Sequence, residues 1–391
     1  MEMVKLGDIL KIKHGYAFKG NFFTDEDTGQ LVLTPGNFTL KGGFQETKKF
    51  TTEKDFPSEF ILNSGDLIVT MTDLSKAIDT IGFSALVPNN ADRKYLHNQR
   101  IGLVKVFNPE FDKAYIYWVM RTKEYQRTIA NTSNGATVHH TSPDRIYKYW
   151  CKKFNLSTQR KIVSILSAYD SLIENNSKRI RLLERMAENL YKEWFVRFRF
   201  PGYENTEFVD GLPKGWSIKK YGEIAEIVAG GDCPCICSDI PTDDLCVPIY
   251  SNGITNEGLY GYTNKERISK PCITISARGT IGYVCLRTIP FVPIVRLLAV
   301  VPKNISVYYL FHYSRYNYME GNGTSQQQLT KPMLQKRKIL VPAESTLLKF
   351  DMIIENIYNK RRKLEKINNT LTRQRDLLLP RLMSGKLEVK A

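Results

Sequence analysis

Residues 156–196 read LSTQRKIVSILSAYDSLIENNSKRIRLLERMAENLYKEWFV, a run without a single proline or glycine. Apolar side chains recur at Ile162, Ile165, Leu166, Tyr169, Leu172, Ile173, Ile180, Leu183, Met186, Ala187, Leu190 and Trp194. Steps of three and four place them along one helical face. Ser157 or Thr158 is expected to cap the start, ahead of a polar first turn, Gln159-Arg160-Lys161. At ~1.5 Å per residue this is a rod of roughly 60 Å, far longer than an ordinary globular helix. Such a rod needs an apolar partner along its length.

The partner is in the same chain. Ser345–Gly385 repeats the pattern, with Ile353, Ile357, Leu364, Ile367, Leu371, Leu378 and Leu382 on its stripe, Pro380 near its end and Gly385 as its stop. The segments ahead of the two rods repeat as well. Leu6-Gly7-Asp8-Ile9 is echoed by Tyr221-Gly222-Glu223-Ile224, and Pro35-Gly36-Asn37 by Tyr250-Ser251-Asn252. The strand Asp66–Met71 matches Pro271–Ala277, and Ile81-Gly82-Phe83 matches Ile281-Gly282-Tyr283. Arg100-Ile101-Gly102-Leu103 corresponds to Arg296-Leu297-Leu298-Ala299, and Asn134-Gly135-Ala136-Thr137 to Asn322-Gly323-Thr324-Ser325. Short strands bounded by Gly, Pro and Asn mix with helical stretches, one of them expected from Phe111 to Ala130. The fold class is therefore α+β, in the order globule, rod, linker, globule, rod. Its simplest assembly packs the rods against each other with a globule at each end, a pseudo-two-fold repeat within one chain.

Fifty-six basic against forty acidic residues give a net charge of +16. That balance points to a polyanion, nucleic acid before an anionic membrane surface. No apolar run approaches the ~20 residues of a spanning helix, and the N-terminus lacks a signal-peptide layout. Seven cysteines, an odd number, argue for a reducing compartment over a disulfide framework. A cytoplasmic protein is expected.

Enzyme signatures are missing. There is no G-x-x-x-x-G-K-[ST], G-x-S-x-G or H-E-x-x-H. Asn108-Pro109-Glu110-Phe111 is superficially like the Asn-Pro-Pro-aromatic motif of amino-methyltransferases, but lacks the second proline and an upstream glycine-rich loop. His139-His140 has no carboxylate or nucleophile at a telling distance, so polar contact in a loop is the expectation. Cys233, Cys235, Cys237 and Cys246 carry a zinc hypothesis, yet the spacing is not C-x-x-C and free thiols are expected instead.

What remains is an inventory for binding DNA. Phosphates take Lys, Arg and hydroxyl partners, guanine takes Arg, and adenine takes Asn or Gln. The first globule offers Tyr16, Lys19, Thr72, Ser75, Lys76, Asn98, Gln99, Arg100, His139 and His140. The second offers Ser251, Asn252, Tyr260, Tyr262, Ser276, Arg278, Thr280, Arg296, Gln326, Gln327 and Gln328. Arg278 stands out, because Ser276-Ala277-Arg278-Gly279-Thr280 puts a guanidinium on a glycine-permitted turn after a strand.

Several motifs, in their order, resemble the specificity subunits of type I restriction–modification enzymes. They are His14-Gly15-Tyr16-Ala17-Phe18-Lys19, Gly65-Asp66-Leu67-Ile68, Lys192-Glu193-Trp194-Phe195-Val196 and Arg199-Phe200-Pro201-Gly202. Leu212-Pro213-Lys214-Gly215-Trp216, Ile275 to Gly282 and Leu382-Met383-Ser384-Gly385 complete the set. The resemblance implies two target-recognition domains, residues 1–155 and 216–343, each reading half of a bipartite, asymmetric duplex target. Residues 156–197 and 344–385 would be antiparallel coiled-coil spacer helices, 198–215 a linker and 386–391 a tail. It also implies two modification (methyltransferase) subunits carrying S-adenosylmethionine, and restriction (translocase and nuclease) subunits using ATP and Mg, as partners of a chain with no cofactor and no catalytic residue. One departure is the cysteine-rich insert after Gly230-Gly231, where similar domains often show Gly-Thr-Pro. The competing readings are a self-sufficient DNA methyltransferase or nuclease, and a coiled-coil protein bridging DNA without regard to sequence.

Overall fold

The computed structural model describes residues 2–75, 78–135, 137–317 and 328–389. The chain forms two compact units, Met1–Asn175 with Ile367–Ala391, and Asn176–Lys366. Two long helices, Leu156–Tyr191 and Glu344–Met383, contribute to both.

In the first unit a four-stranded antiparallel sheet runs in the order Leu10–His14, Ile101–Val106, Leu67–Thr70, Ser84–Leu86. In the second, Ala225–Ala229, Leu297–Pro302, Cys272–Ser276 and Val284–Arg287 repeat that order. The central strands have apolar runs because both their faces are buried. Leu67 and Val69 face a core of Tyr115, Ile116 and Trp118, whereas Ile68 faces a second core with Leu31, Phe38 and Tyr95. Ile273 and Ile275 likewise pack with Tyr309 and Phe350, while Cys272 turns to Phe291. Beside each sheet lies a second one containing a parallel pair, Gln30–Val32 with Lys94–Leu96 and Val247–Tyr250 with Val292–Pro293. The repeat seen in the sequence is thus a repeat of topology.

Within each unit the helix segments pair antiparallel. In the first, Asp170 meets Arg375 and the carbonyl of Ile173 accepts from Asn368. In the second, Glu184 meets Arg361 and the Trp194 ring lies against Phe350.

The buried stripes differ in part from the periodic reading. Ile162, Leu166, Ala187 and Trp194 are buried, but Ile165, Leu172 and Met186 are exposed. On the second helix Ile354 is buried and its neighbour Ile353 exposed, as is Ile367. Sequence spacing locates a stripe only to within one residue, since neighbours sit 100° apart and the packing partner selects between them.

The first helix begins two or three residues earlier than its hydroxyl residues suggest. The Asn155 carboxamide oxygen accepts the N–H of Thr158 at 2.8 Å, so Asn155 is the cap. Asn155→Ala is expected to cost about 1 kcal/mol in chemical denaturation; no change would show that water caps this end equally well. Gln159, assigned to a polar first turn, is wholly buried and bonds Asp112 N–H, Glu110 O and Phe154 O. At the other end Lys192–Val196 forms a π turn, whose wider winding lets the adjacent Trp194 and Phe195 both enter the core.

The helix expected over Phe111–Ala130 is two, Lys113–Val119 and Lys123–Asn131. Asp112 caps the first, and Thr122, accepting from Tyr125 N–H, caps the second. The stretch after the first long helix is pinned by aromatic contact, Phe198 and Phe200 lying 5.5 and 5.3 Å from Trp216.

Candidate nucleic-acid interface

In the first unit, strand Leu10–His14 hands over to a loop at Gly15. A Cβ there would lie 2.3 Å from the Asn98 carbonyl oxygen, so only glycine lets the two backbones meet. Tyr16 then pairs with Asn98, donating its N–H to His97 O at 2.8 Å while accepting from Gln99 N–H at 2.9 Å. The next steps follow the sheet edge. Met71 N–H donates to Arg100 O at 3.1 Å, and Thr141 N–H to Met71 O at 3.0 Å. His139 and His140 pair with Asp73 and Thr72, and the Thr72 hydroxyl contacts His140 Nδ1 at 3.2 Å. Tyr16, Asn98, Gln99, Arg100, Thr72, His139 and His140 therefore share one continuous backbone ladder.

Gln99, Arg100 and His140 are exposed, and Tyr16 and His139 half-buried. Thr72 and Asn98 are buried, and the Asn98 side chain caps the Arg100 N–H at 3.0 Å. These two serve the framework through the bonds they make. Lys19 is exposed, with its N–H on the Glu53 carboxylate. The Ser75 hydroxyl donates to Asp79 at 2.9 Å. Lys76 lies outside the described residues.

Asp73 organises the loop that carries Ser75. Its carboxylate is buried and accepts Ser75 N–H, Thr80 N–H, the Thr80 hydroxyl and Ile81 N–H. Burial pushes its pKa upward, but the Ser75 and Thr80 hydrogen bonds outweigh it and hold the group below its ordinary value.

The second unit repeats the ladder. At Gly230 a Cβ would lie 2.0 Å from Ile294 O, and Gly231 pairs with Ile294. Ala277 N–H donates to Arg296 O at 2.9 Å, and Leu329 N–H to Ala277 O at 2.9 Å. These are the bonds made by Arg100, Met71 and Thr141 in the first unit. Nine residues separate Met71 from Ile81 in the first unit, and three separate Ala277 from Ile281 in the second.

A polar hub centres on Asn252. Its carbonyl accepts from the Ser276 and Thr280 hydroxyls at 3.2 and 3.0 Å, and its amide donates to Arg278 O at 2.8 Å. Ser276 is buried; Arg278 and Thr280 are half-exposed on the turn whose Gly279 has φ +74°. Arg296, exposed, adopts φ 71°, a left-handed conformation uncommon for arginine. Together with Asn252, Gln328 and Lys331 it lines a cleft of about 490 Å³. Ser251 pairs with Gly258 O at 2.7 Å, and Tyr260 and Tyr262 belong to strand Leu259–Thr263, Tyr260 being the more exposed. Gln326 and Gln327 lie outside the described residues.

Register corrects one equivalence. The parallel pairs set Leu96 against Val32 and Val292 against Ile249, four residues before Arg100 and Arg296 respectively. Asn252 therefore corresponds to Pro35, two residues before Asn37. Asn37 is buried and holds its own turn through Thr34, Gln45 and Thr47.

Arg287 escaped the sequence reading. Its guanidinium is buried 3.6 Å over the Tyr250 ring, with Nε donating to Thr274 and Nη2 to Glu257 O. It thereby fixes the loop of Ser251 and Asn252, where Asn256 and Glu257 take positive φ. The one available signal was a guanidinium at the end of the apolar strand Val284–Arg287.

Burial raises the thiols of Cys151 and Cys272 to about 12, so neither is a thiolate near neutral pH. Among the described residues, no group of three or more His, Cys, Asp or Glu side chains is placed to hold a metal ion.

The type I restriction modification DNA specificity domain family matches residues 1–185 and 213–373. A type I restriction enzyme MjaIX specificity subunit of Methanocaldococcus jannaschii is 26% identical over 303 residues, covering 71% of this chain and 69% of that one. A type I restriction enzyme HindI specificity subunit of Haemophilus influenzae is 23% identical over 344 residues, covering 68% of this chain and 75% of that one. The crystal structure of a type I restriction–modification S subunit from M. genitalium shares the fold, with TM-score 0.61 at 16% identity over 100% of this chain and 96% of that one. With two matched segments falling on two units that share one topology, this chain belongs to the type I restriction–modification DNA specificity family, and its role is specificity for DNA sequence.

Proposed function

We propose that this chain reads a bipartite, asymmetric double-stranded DNA target, one half with residues 1–155 and the other with 216–343. Residues 156–197 and 344–385 serve as spacer helices, 198–215 as a linker and 386–391 as a tail. The observation that carries the reading is the doubled ladder, Arg100–Met71–Thr141 and Arg296–Ala277–Leu329, which presents different side chains from the same backbone frame. Two frames with different surfaces can read two different half-sites. The readers in this account are the exposed Gln99, Arg100 and His140 in one unit, and the half-exposed Arg278 with the exposed Arg296 and Gln328 in the other.

The chain works with two modification subunits, which hold S-adenosylmethionine, and with restriction subunits that use ATP and Mg. Exposed apolar residues on the long helices, among them Leu172, Met186, Leu348 and Met352, support a docking role. The setting is the cytoplasm: the seven cysteines are unpaired, and among the described residues no helix is long and apolar enough to cross a membrane.

Reconstitution with modification subunits, followed by mapping of methylated adenines, tests the reading. Two short specified blocks separated by unread bases are expected; one continuous motif, or methyl transfer by this chain alone, would overturn it. Arg278→Ala should weaken recognition of one half-site by about 1–3 kcal/mol and leave the other unchanged. Equal relaxation of both would reassign Arg278 to phosphate contact.

A further inference from the structure

Both long helices carry a dense basic segment within the second unit. Residues 178–185 and 360–366 hold nine basic side chains, Lys178, Arg179, Arg181, Arg185, Lys360, Arg361, Arg362, Lys363 and Lys366, against two acidic ones, Glu184 and Glu365. The two segments are neighbours, since Arg361 Nε lies 3.1 Å from Glu184 across the helix pair and 2.8 Å from Glu365 one turn on. One half-buried arginine thus engages both acids. Arg179, Arg181, Arg185, Lys360 and Lys363 are exposed, with no ion pair among the described residues.

Packing does not explain this charge. The faces that hold the helices together here use Leu183, Ala187, Ile354, Ile357, Tyr358 and Leu364. Eight helical residues span about 11 Å, a length over which duplex DNA presents about six phosphate charges. We propose that this mid-helix surface binds the sugar–phosphate backbone of double-stranded DNA without regard to sequence. It adds affinity beside the loops that select bases, and it rests on the DNA-reading role given above. Regular helix favours phosphate contact here: long lysine and arginine side chains reach a phosphate from many rotamers, whereas base reading needs fixed geometry.

The test replaces Arg181, Arg185, Lys360 and Lys363 together by glutamine, which keeps helix propensity and removes four charges. The variant is assembled with its modification subunits, and binding is titrated from 50 to 200 mM salt with two duplexes, one containing the mapped target and one lacking it. At the lower salt both affinities are expected to fall about tenfold or more, the slope of log K against log salt becoming shallower by about 2–4. The methylated sequence stays the same. An unchanged slope would overturn the proposal, as would a loss confined to the target duplex, which would make these residues base readers. Failure to assemble, seen by sedimentation, would also overturn it and give the surface to a protein partner. A wild-type complex that binds both duplexes equally counts against the DNA-reading role, while the variant's slope still decides the patch.

Discussion

Replacing Asp170 by alanine is expected to destabilise the first compact unit by about 3–5 kcal/mol, the cost of breaking a buried ion pair from one side. Asp170 receives Arg121 Nη1 at 2.6 Å on one oxygen and Arg375 Nη1 at 2.5 Å on the other. The two arginine side chains are only 4% and 9% exposed. Arg121 also donates to the Tyr117 hydroxyl and lies 4.5 Å over the Trp118 ring, so it has nowhere to swing once its acceptor is gone. Alanine would leave the buried Arg121 guanidinium without a counter-charge and Arg375 with Asp376 alone, 2.7 Å from its Nη2. Burial works against the Arg375 charge, and Asp170 and Asp376 together outweigh it. Denaturant midpoints of the wild type and variant measure the effect. In a background of Arg375→Met the same change should cost less, because one of the two arginines that lose an acceptor is already gone. A loss below about 1 kcal/mol would mean that water reaches the arginines freely.

Asp73→Ala is expected to cost about 2–4 kcal/mol, since it removes the shared acceptor of three backbone N–H groups and a hydroxyl. Its consequence is functional as well as structural, because the loop it holds leads from the ladder through Ser75 to Ile81. Recognition of one half-site should weaken, with the other half-site retained. The pH dependence has a definite sign. Asp73 has a folded pKa below its ordinary 3.8, so its contribution is complete above that value and is lost as pH falls through the folded one. The gap in stability between wild type and variant should therefore be constant near neutrality and close only below about pH 4. A gap that does not narrow at all as pH is lowered would show that the carboxylate's shape, not its charge, holds the loop.

Much of this protein is written in patterns of short range. The long helices follow from two stretches that lack glycine in the rod and repeat apolar residues every three or four positions. The doubled topology follows from repeated short motifs, and the glycines at 15 and 230 mark equivalent close approaches of backbone to backbone. The positive charge and the missing enzyme motifs direct attention to DNA. Less legible were features decided by which of several competing local or distant partners is used. Asn155 displaced the hydroxyl residues as a cap, and Thr122 divided a stretch with continuous helical character. Asn252 looked like the counterpart of Asn37, yet strand pairing sets it two residues away, because each turn is closed by its own side-chain bonds.

The site shows the same division. Arg100 and Arg296 could be named from sequence because they recur at one place in the repeat. That Thr72, Asn98 and Ser276 are buried, whereas Gln99 and His140 reach solvent, depends on which side of a strand or loop each occupies. Arg287 and Asp73 were invisible for a related reason: a single charged residue in an apolar or polar run has no period, and its meaning lies in the donors and acceptors gathered around it.

By itself, then, the sequence determined the rods, the repeated order and the polyanionic partner, all of which depend on periodicity and composition. The tertiary structure decided which of two adjacent apolar residues on a helix is buried, which polar residues are framework, and which loop is held by Asp73 or by Arg287. The burial choices rest on contacts between residues tens to hundreds of positions apart, and the Asp73 loop on donors two to eight residues away that only the folded turn brings together. Burial makes such contacts energetically decisive, and no local pattern encodes them.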